Sequence, residues 1–293
     1  MRNSRPALPM HDPIESARRR FAEEICRLNR ISSPAICAAF ATVPRERFVG
    51  PGPWMIQSGS TSWFSEDADP THVYRDTLIV LDEARHINNG QPSLWAIHLD
   101  LVRIHPGDEI LHLGCGAGYY TAILAELTGP KGKVAAIEID EGLASRARTA
   151  LAPWPQVTVI QADGSQGSFA PADAIVVSAG ATHPLAAWLA AVKPAGKLLF
   201  PLTSTCGPGA MAHLTRASAD RFAAALESSV FFVDFAGARD PTVDNELARA
   251  LHRDGGASVR SLRCDAHAKD DTCWLHGDAW CFSRLPLAFH QGA

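Results

Sequence analysis

The residues of this chain best placed to do chemistry form the run Leu113-Gly114-Cys115-Gly116-Ala117-Gly118-Tyr119. Glycine lacks a Cβ, so backbone built from it can turn sharply and come close to a bound molecule. A helix that starts after such a turn aims its N-terminal amides and positive dipole end at that molecule. Taken alone, Gly-x-Gly-x-Gly is a weak signal, because dinucleotide enzymes use the related Gly-x-Gly-x-x-Gly turn. Two acids narrow the reading. Glu138 lies twenty residues past Gly118 at the end of the next apolar run, where a carboxylate can accept both hydroxyls of a ribose. Asp163-Gly164 closes the apolar run after that, beside the place an adenine would take. The turn carries no Lys or Arg to hold phosphate. Carboxylates without phosphate binders suit the sulfonium cation S-adenosylmethionine better than NAD. The expected cofactor set is Gly114, Cys115, Gly116, Gly118, Tyr119, Glu138, Asp163 and Gly164.

These residues need elements to hold them, and the chain supplies a regular alternation. Leu94 to Ile104 reads as an apolar helix ended by Pro106-Gly107. Glu109 to Leu113 is a short strand entering the glycine turn, and Tyr119 to Leu127 a helix closed by Gly129-Pro130. Val134 to Glu138 is a continuous apolar strand of the kind buried on both faces. A helix from Asp140 to Leu151 follows, then strands at Val157–Ala162, Ala174–Val177 and Lys197–Leu202, with a helix from Leu185 to Val192 between the last two. Short apolar strands alternating with helices predict an α/β fold with a doubly wound, mostly parallel sheet. Both acids then fall at carboxyl ends of strands, the edge where open α/β sheets bind ligands. Met211 to Arg216 and Ala223 to Phe235 read as an antiparallel edge hairpin. Residues 14 to 41 read as helices and Pro44 to Gly90 as loops around short strands. The expected organisation is a helical cap over 1–80, a core over 81–240 and a C-terminal extension over 241–293.

Composition sets outer bounds. Of 293 residues 46% are hydrophobic, too many for a disordered chain. The net charge of -4 offers no general attraction to nucleic acid or an anionic membrane, and the Arg18-Arg19-Arg20 cluster reads as a solvated helix face. No apolar run reaches the length of a membrane span, and Met1 to Pro13 lacks the apolar stretch of a secretory signal. Seven scattered cysteines suit a reducing cytoplasm better than a disulfide scaffold. The oligomeric state is not legible.

Beyond the glycine turn, several blocks occur in an order that resembles the protein-L-isoaspartate O-methyltransferases over about residues 36 to 238. They are Val43-Pro44-Arg45-Glu46-Arg47-Phe48-Val49, Tyr74-Arg75-Asp76, Gly114 to Tyr119, and Asp163-Gly164-Ser165 with Gly167. Asp173 to Val177, Leu189 to Leu198 and Phe231-Phe232-Val233 continue the match. The resemblance implies a Rossmann-like methyltransferase that takes its methyl group from S-adenosylmethionine. It also implies a carboxyl acceptor of the Asp or isoAsp type on a peptide or protein.

The substrate side departs from that pattern. The family carries Thr-Ile-Ser, one further residue and Pro before its cofactor helix, and its serine hydroxyl is thought to handle the substrate carboxyl. Here the loop reads Ile87-Asn88-Asn89-Gly90-Gln91-Pro92-Ser93, with Gly90 at the serine position and Asn88 at the threonine. A carboxylate acceptor, with a reference pKa of about 4, is ionised at neutral pH and needs no base. A hydroxyl or protonated amine would need one. Asn89, Gln91 and Ser93 hydrogen-bond without acting as bases, while His86 is a candidate base, as are His98 and His183. Other acceptors stay open: a modified peptide or a small metabolite. Two other functions stay open as well, a nicotinamide oxidoreductase and a silent cofactor-binding protein.

In the tail, Cys264, His267, Cys273, His276 and Cys281 raise the question of zinc, yet no Cys-x-x-Cys pair occurs and the spacings match no common finger. The expectation is no metal. Cys273 to Phe282 reads as one strand, which would put Trp274 and Trp280 on one face by alternation.

Overall fold

In the computed structural model, which describes residues 12–287, the first helix begins where the sequence supplies a start. Asp12 caps α1 (Pro13–Leu28) by accepting from the Ile14 amide, and Pro13 stands in the first turn, where its missing N–H leaves no bond unmade. Phe21, Ala22 and Ile25 are its buried stripe. Pro34 opens α2 (Pro34–Thr42), and a Cys26–Cys37 disulfide joins the two helices. The scattered cysteines therefore include a bonded pair, and their scatter no longer argues for a reducing compartment. The reading of Met1 to Pro13 falls, except for Asp12 and Pro13, outside the described residues.

The chain divides into two compact units at Asp100 and Leu101. In the first, β1 (Met55–Ser58), β2 (Thr61–Phe64), β3 (Leu78–Asp82) and β4 (Ile87–Asn88) form an antiparallel sheet in the order β2-β1-β3-β4. Then α3 (Pro92–Val102) follows, and its Asp100 accepts from the amides of Ser32 and Ser33.

In the second unit the strands that read as apolar runs lie inside one sheet. Five run parallel: β5 (Glu109–Leu113), β6 (Lys133–Glu138), β7 (Val157–Gln161), β8 (Ala172–Val177) and β9 (Val192–Leu202). Between them come α4 (Tyr119–Thr128), α5 (Glu141–Ala150) and α6 (Ala186–Ala191). Next, β10 (Gly209–Arg216) and β11 (Arg221–Val230) pair antiparallel. Past them lie α7 (Pro241–Asp254), β12 (Ser261–Arg263), β13 (Cys273–His276) and β14 (Cys281–Ser283). The order β13-β14-β12-β11-β10-β9-β8-β5-β6-β7 makes ten strands. The chain leaves β5 toward β6 and β7, then returns to β8 on the other side, so β5 and β8 flank the point where strand order reverses. Open α/β sheets place ligands at that point.

Two expectations for the end of the chain are corrected. The β10–β11 hairpin is interior, because β12 pairs with β11 and extends the sheet. Cys273 to Phe282 is a hairpin of two short strands. Trp274 and Trp280 both pack on Phe282, Trp274 from β13 and Trp280 from the turn before β14, so simple alternation is not the reason. The helix α7 had legible ends that weak apolar periodicity hid: Asp240 caps it, Pro241 opens it, and Gly255 closes it at φ 60.

Candidate active site

The glycine turn is built almost entirely from backbone. The amides of Gly114 and Cys115 both donate to the Ile137 carbonyl, tying the end of β5 to the end of β6. Gly114, Gly116 and Gly118 hold φ of 70°, 56° and 96°, a region costly for residues with a Cβ. Gly118 carries a second constraint. A Cβ there would stand 2.8 Å from a Leu151 methyl, so glycine also lets the turn seat against the end of α5. Gly116 is different, since a Cβ on it would meet nothing within 4 Å. Its face is open for a ligand's approach.

Glu138 is the side chain that meets this turn. It is 6% exposed, and its two oxygens are used by different amides, Gly116 at 2.7 Å and Asp140 at 3.0 Å. A carboxylate held at both oxygens keeps one orientation and still has lone pairs for ribose hydroxyls. One strand further, Asp163 Oδ1 accepts from the amide and hydroxyl of Ser165, fixing the next turn. Gly164 is wedged there: a Cβ would lie 3.0 Å from Phe235 and 3.3 Å from Leu113. Its carbonyl accepts from Trp188 Nε1 at 2.9 Å. The turn, Glu138 and Asp163-Gly164 thus line one edge of β5, β6 and β7, as their spacing predicts.

Two expected members face inward. Cys115 is 6% exposed, and burial together with the charge of Glu138 pushes its thiol up to about 12, which leaves it inert. The Tyr119 ring is buried against Tyr120. Their part in the turn is packing and backbone. Beneath the turn, His112 on β5 bridges Thr121 of α4 and Ser178 beyond β8, at 2.8 Å on each ring nitrogen. Burial lowers its pKa to about 3, so it is a neutral structural link and no base.

The loop of residues 87–93 belongs to the first unit and is organised differently. Arg45, fully buried, spends all five of its N–H donors. Nε donates to Asn89 Oδ1, and the terminal nitrogens donate to the carbonyls of Val73, Arg75, Thr77 and Gly90. Asn89 is therefore an internal acceptor for Arg45. Gln91 reaches Asp76 and Ser93, and the Ser93 amide donates to Asp76. Gly90, at φ 75, receives its shape from the Asn88 side chain through its amide. His86 is exposed at φ 55 in the turn between β3 and β4, outside this network. His98 is buried, with its pKa lowered to about 4, and burial also lowers that of His183, which contacts Thr182 and stacks on Trp280. Arg45 is the residue that sequence reading passed over. Its only signal was an arginine set among Val43, Phe48 and Val49, flanked by residues that pack inside.

A doubly wound sheet with a glycine turn at its switch point, and a carboxylate at the end of each of the next two strands, has the Rossmann-like fold of the methyltransferase class. The sequence model of the protein-L-isoaspartate(D-aspartate) O-methyltransferase family matches residues 19–240. The chain belongs to that family, and it is a methyltransferase dependent on S-adenosylmethionine. It is 30% identical over 225 residues to the protein-L-isoaspartate O-methyltransferase of Methanothermobacter thermautotrophicus, an alignment that takes in 75% of this chain and 95% of the relative. With the Aeropyrum pernix enzyme of the same name the identity is 32%, over 67% of this chain and 71% of that one. A solved protein-L-isoaspartate O-methyltransferase superposes with a TM-score of 0.62 at 21% identity, covering 80% of this chain and 68% of the other. A Plasmodium falciparum homologue crystallised with S-adenosyl-L-homocysteine gives 0.61 at 17%, covering 75% and 98%. Among the described residues no helix is long and apolar enough to cross a membrane.

Proposed function

We propose that the chain transfers a methyl group from S-adenosylmethionine to a carboxylate of a protein or peptide, of the Asp or isoAsp type. The observation that carries the reading is Glu138, oriented by two amides beside a glycine turn that holds no cation for phosphate. In it, Glu138 accepts from the ribose hydroxyls, Asp163-Gly164 flanks the adenine, and Gly114, Gly116 and Gly118 let the backbone lie against the rest of the cofactor. S-adenosylmethionine supplies a methyl carbon already activated by its sulfonium. The chain's own task is then to place an acceptor in line and to keep water out. A carboxylate acceptor asks no proton transfer of the protein at neutral pH. That agrees with buried, neutral His98 and His112 and a loop of amides and hydroxyls.

Gly90 supports a second reading for the acceptor, a modified peptide or a small acid. The hydroxyl the family places there is missing, and the backbone at φ 75 resists a β-carbon. Calorimetry with S-adenosylmethionine and with NAD tests the cofactor. Methyl transfer to an isoaspartyl peptide, run beside cell extract as a second acceptor pool, tests the acceptor. Labelling confined to extract would select the second reading.

A further inference from the structure

The family match ends at residue 240, and the densest cluster of ligating side chains among the described residues lies beyond it. His267, Cys273, His276 and Cys281 each bring one ligand atom to within 4.8 Å of all the others. Linear spacing concealed this set. In a regular strand, residues three apart point to opposite faces. In β13 the register slips between Cys273 and Leu275, and this bulge turns Cys273 and His276 to the same side. The hairpin then brings Cys281 opposite His276, and the loop after β12 delivers His267. Cys264, the fifth residue of the sequence pattern, is not in the cluster.

Two edges of the cluster have the length a tetrahedral site needs. Cys273 Sγ lies 3.5 Å from His267 Nε2 and 3.7 Å from His276 Nδ1. Zinc bonds of about 2.3 Å to sulfur and about 2.05 Å to nitrogen, at the tetrahedral angle, put the S···N edge at roughly 3.6 Å. The surroundings also fit. His267 Nδ1 sits 2.9 Å from the Asp265 carbonyl, which places the proton on Nδ1 and turns the Nε2 lone pair toward the cluster. The Asp270 amide donates to Cys273 Sγ at 3.4 Å, and Asp270 Oδ1 lies 3.5 Å from the same sulfur. Both sulfurs are buried, Cys281 completely. Two thiolates and two neutral imidazoles around a divalent ion sum to zero charge, so a buried site of this kind needs no further counter-ion.

We infer that His267 Nε2, Cys273 Sγ, His276 Nδ1 and Cys281 Sγ bind one zinc ion that locks the outermost hairpin of the sheet. Nitrogen and thiolate ligands in a tetrahedron select zinc over calcium or magnesium. Four protein ligands leave no open position for a reacting water, so the ion's role is structural. It would tie together three strands of only three or four residues, the shortest in the sheet.

The test is metal analysis of the full chain purified under reducing conditions without added chelator. About one equivalent of zinc is expected. Cobalt(II) loaded after chelation should show the visible bands of a tetrahedral site and a thiolate charge-transfer band. Cys273→Ser and His276→Ala should lose the metal, and Cys264→Ser should keep it. Absence of zinc together with no tetrahedral cobalt spectrum in the parent protein would overturn the inference without reliance on any variant. So would a Cys273–Cys281 disulfide found in protein trapped with a thiol-blocking reagent, or full zinc content in both ligand variants.

Discussion

The glycine turn and the 87–93 loop each contain a glycine at positive φ, yet they are held by opposite means. At the turn, main chain bonds to main chain, and one side chain, Glu138, completes the frame. At the loop, the Gly90 carbonyl and the Asn89 side chain join three carbonyls from residues 73–77 on one buried side chain, Arg45, with Asp76 anchoring the far end. A backbone-built site tolerates change around it so long as its glycines remain. A site hung on side chains can be reshaped by a few substitutions, and it is here that Gly90 stands in place of the family's serine.

The comparison can be broken first at Glu138. Removing its carboxylate in Glu138→Ala should weaken S-adenosylmethionine binding at least about 100-fold, the worth of two charge-assisted hydrogen bonds. Calorimetry that showed unchanged affinity would remove Glu138 from the site. Arg45→Ala attacks the other side. It strands the carbonyls of Thr77 and Gly90 and should destabilise the protein by about 3 kcal/mol or more in urea unfolding. Where the variant still folds, methyl transfer should fall further than cofactor affinity does. An equal loss of both would erase the distinction between the two regions.

A third prediction concerns pH. Burial holds the His112 pKa at about 3 against 6.5 for a free side chain, so the unfolded chain takes up the proton first. Its contribution to stability is intact above pH 6.5 and is lost as pH falls toward 3. Thermal melts at stepped pH should show a shallower decline in His112→Asn than in the parent. The smallest effect is expected from Gly90→Ser. At φ 75 it should cost about 1 kcal/mol while raising turnover of an isoaspartyl peptide relative to other acceptors. No gain in that ratio would mean that the hydroxyl is not what the loop lacks.

Much of the second unit was legible because its cues are local. Apolar strands end at Glu138 and Asp163, helices end at Gly129 and Pro153, and the sheet edge then gathers the acids. What escaped reading depends on register and distance. The bulge beside Cys273 reverses the expected facing of one side chain, and nothing in a string of letters marks where it falls. Arg45 draws its partners from 28 to 45 residues away, beyond any periodic pattern. The continuation of the sheet past β11 rests on strands of three and four residues, too short to show alternation.

The buried Arg45 also bears on how the first unit assembles. Its acceptors come from Val73, Arg75, Thr77, Asn89 and Gly90, so no local piece of chain can satisfy it. Until those segments arrive together, the guanidinium does better in water than in a half-formed interior. It therefore penalises partly assembled states and rewards the completed one, which sharpens cooperativity. Contacts made after the folding barrier slow escape from the native state more than they speed arrival. Substitution at Arg45 should then be read chiefly in the rate of unfolding.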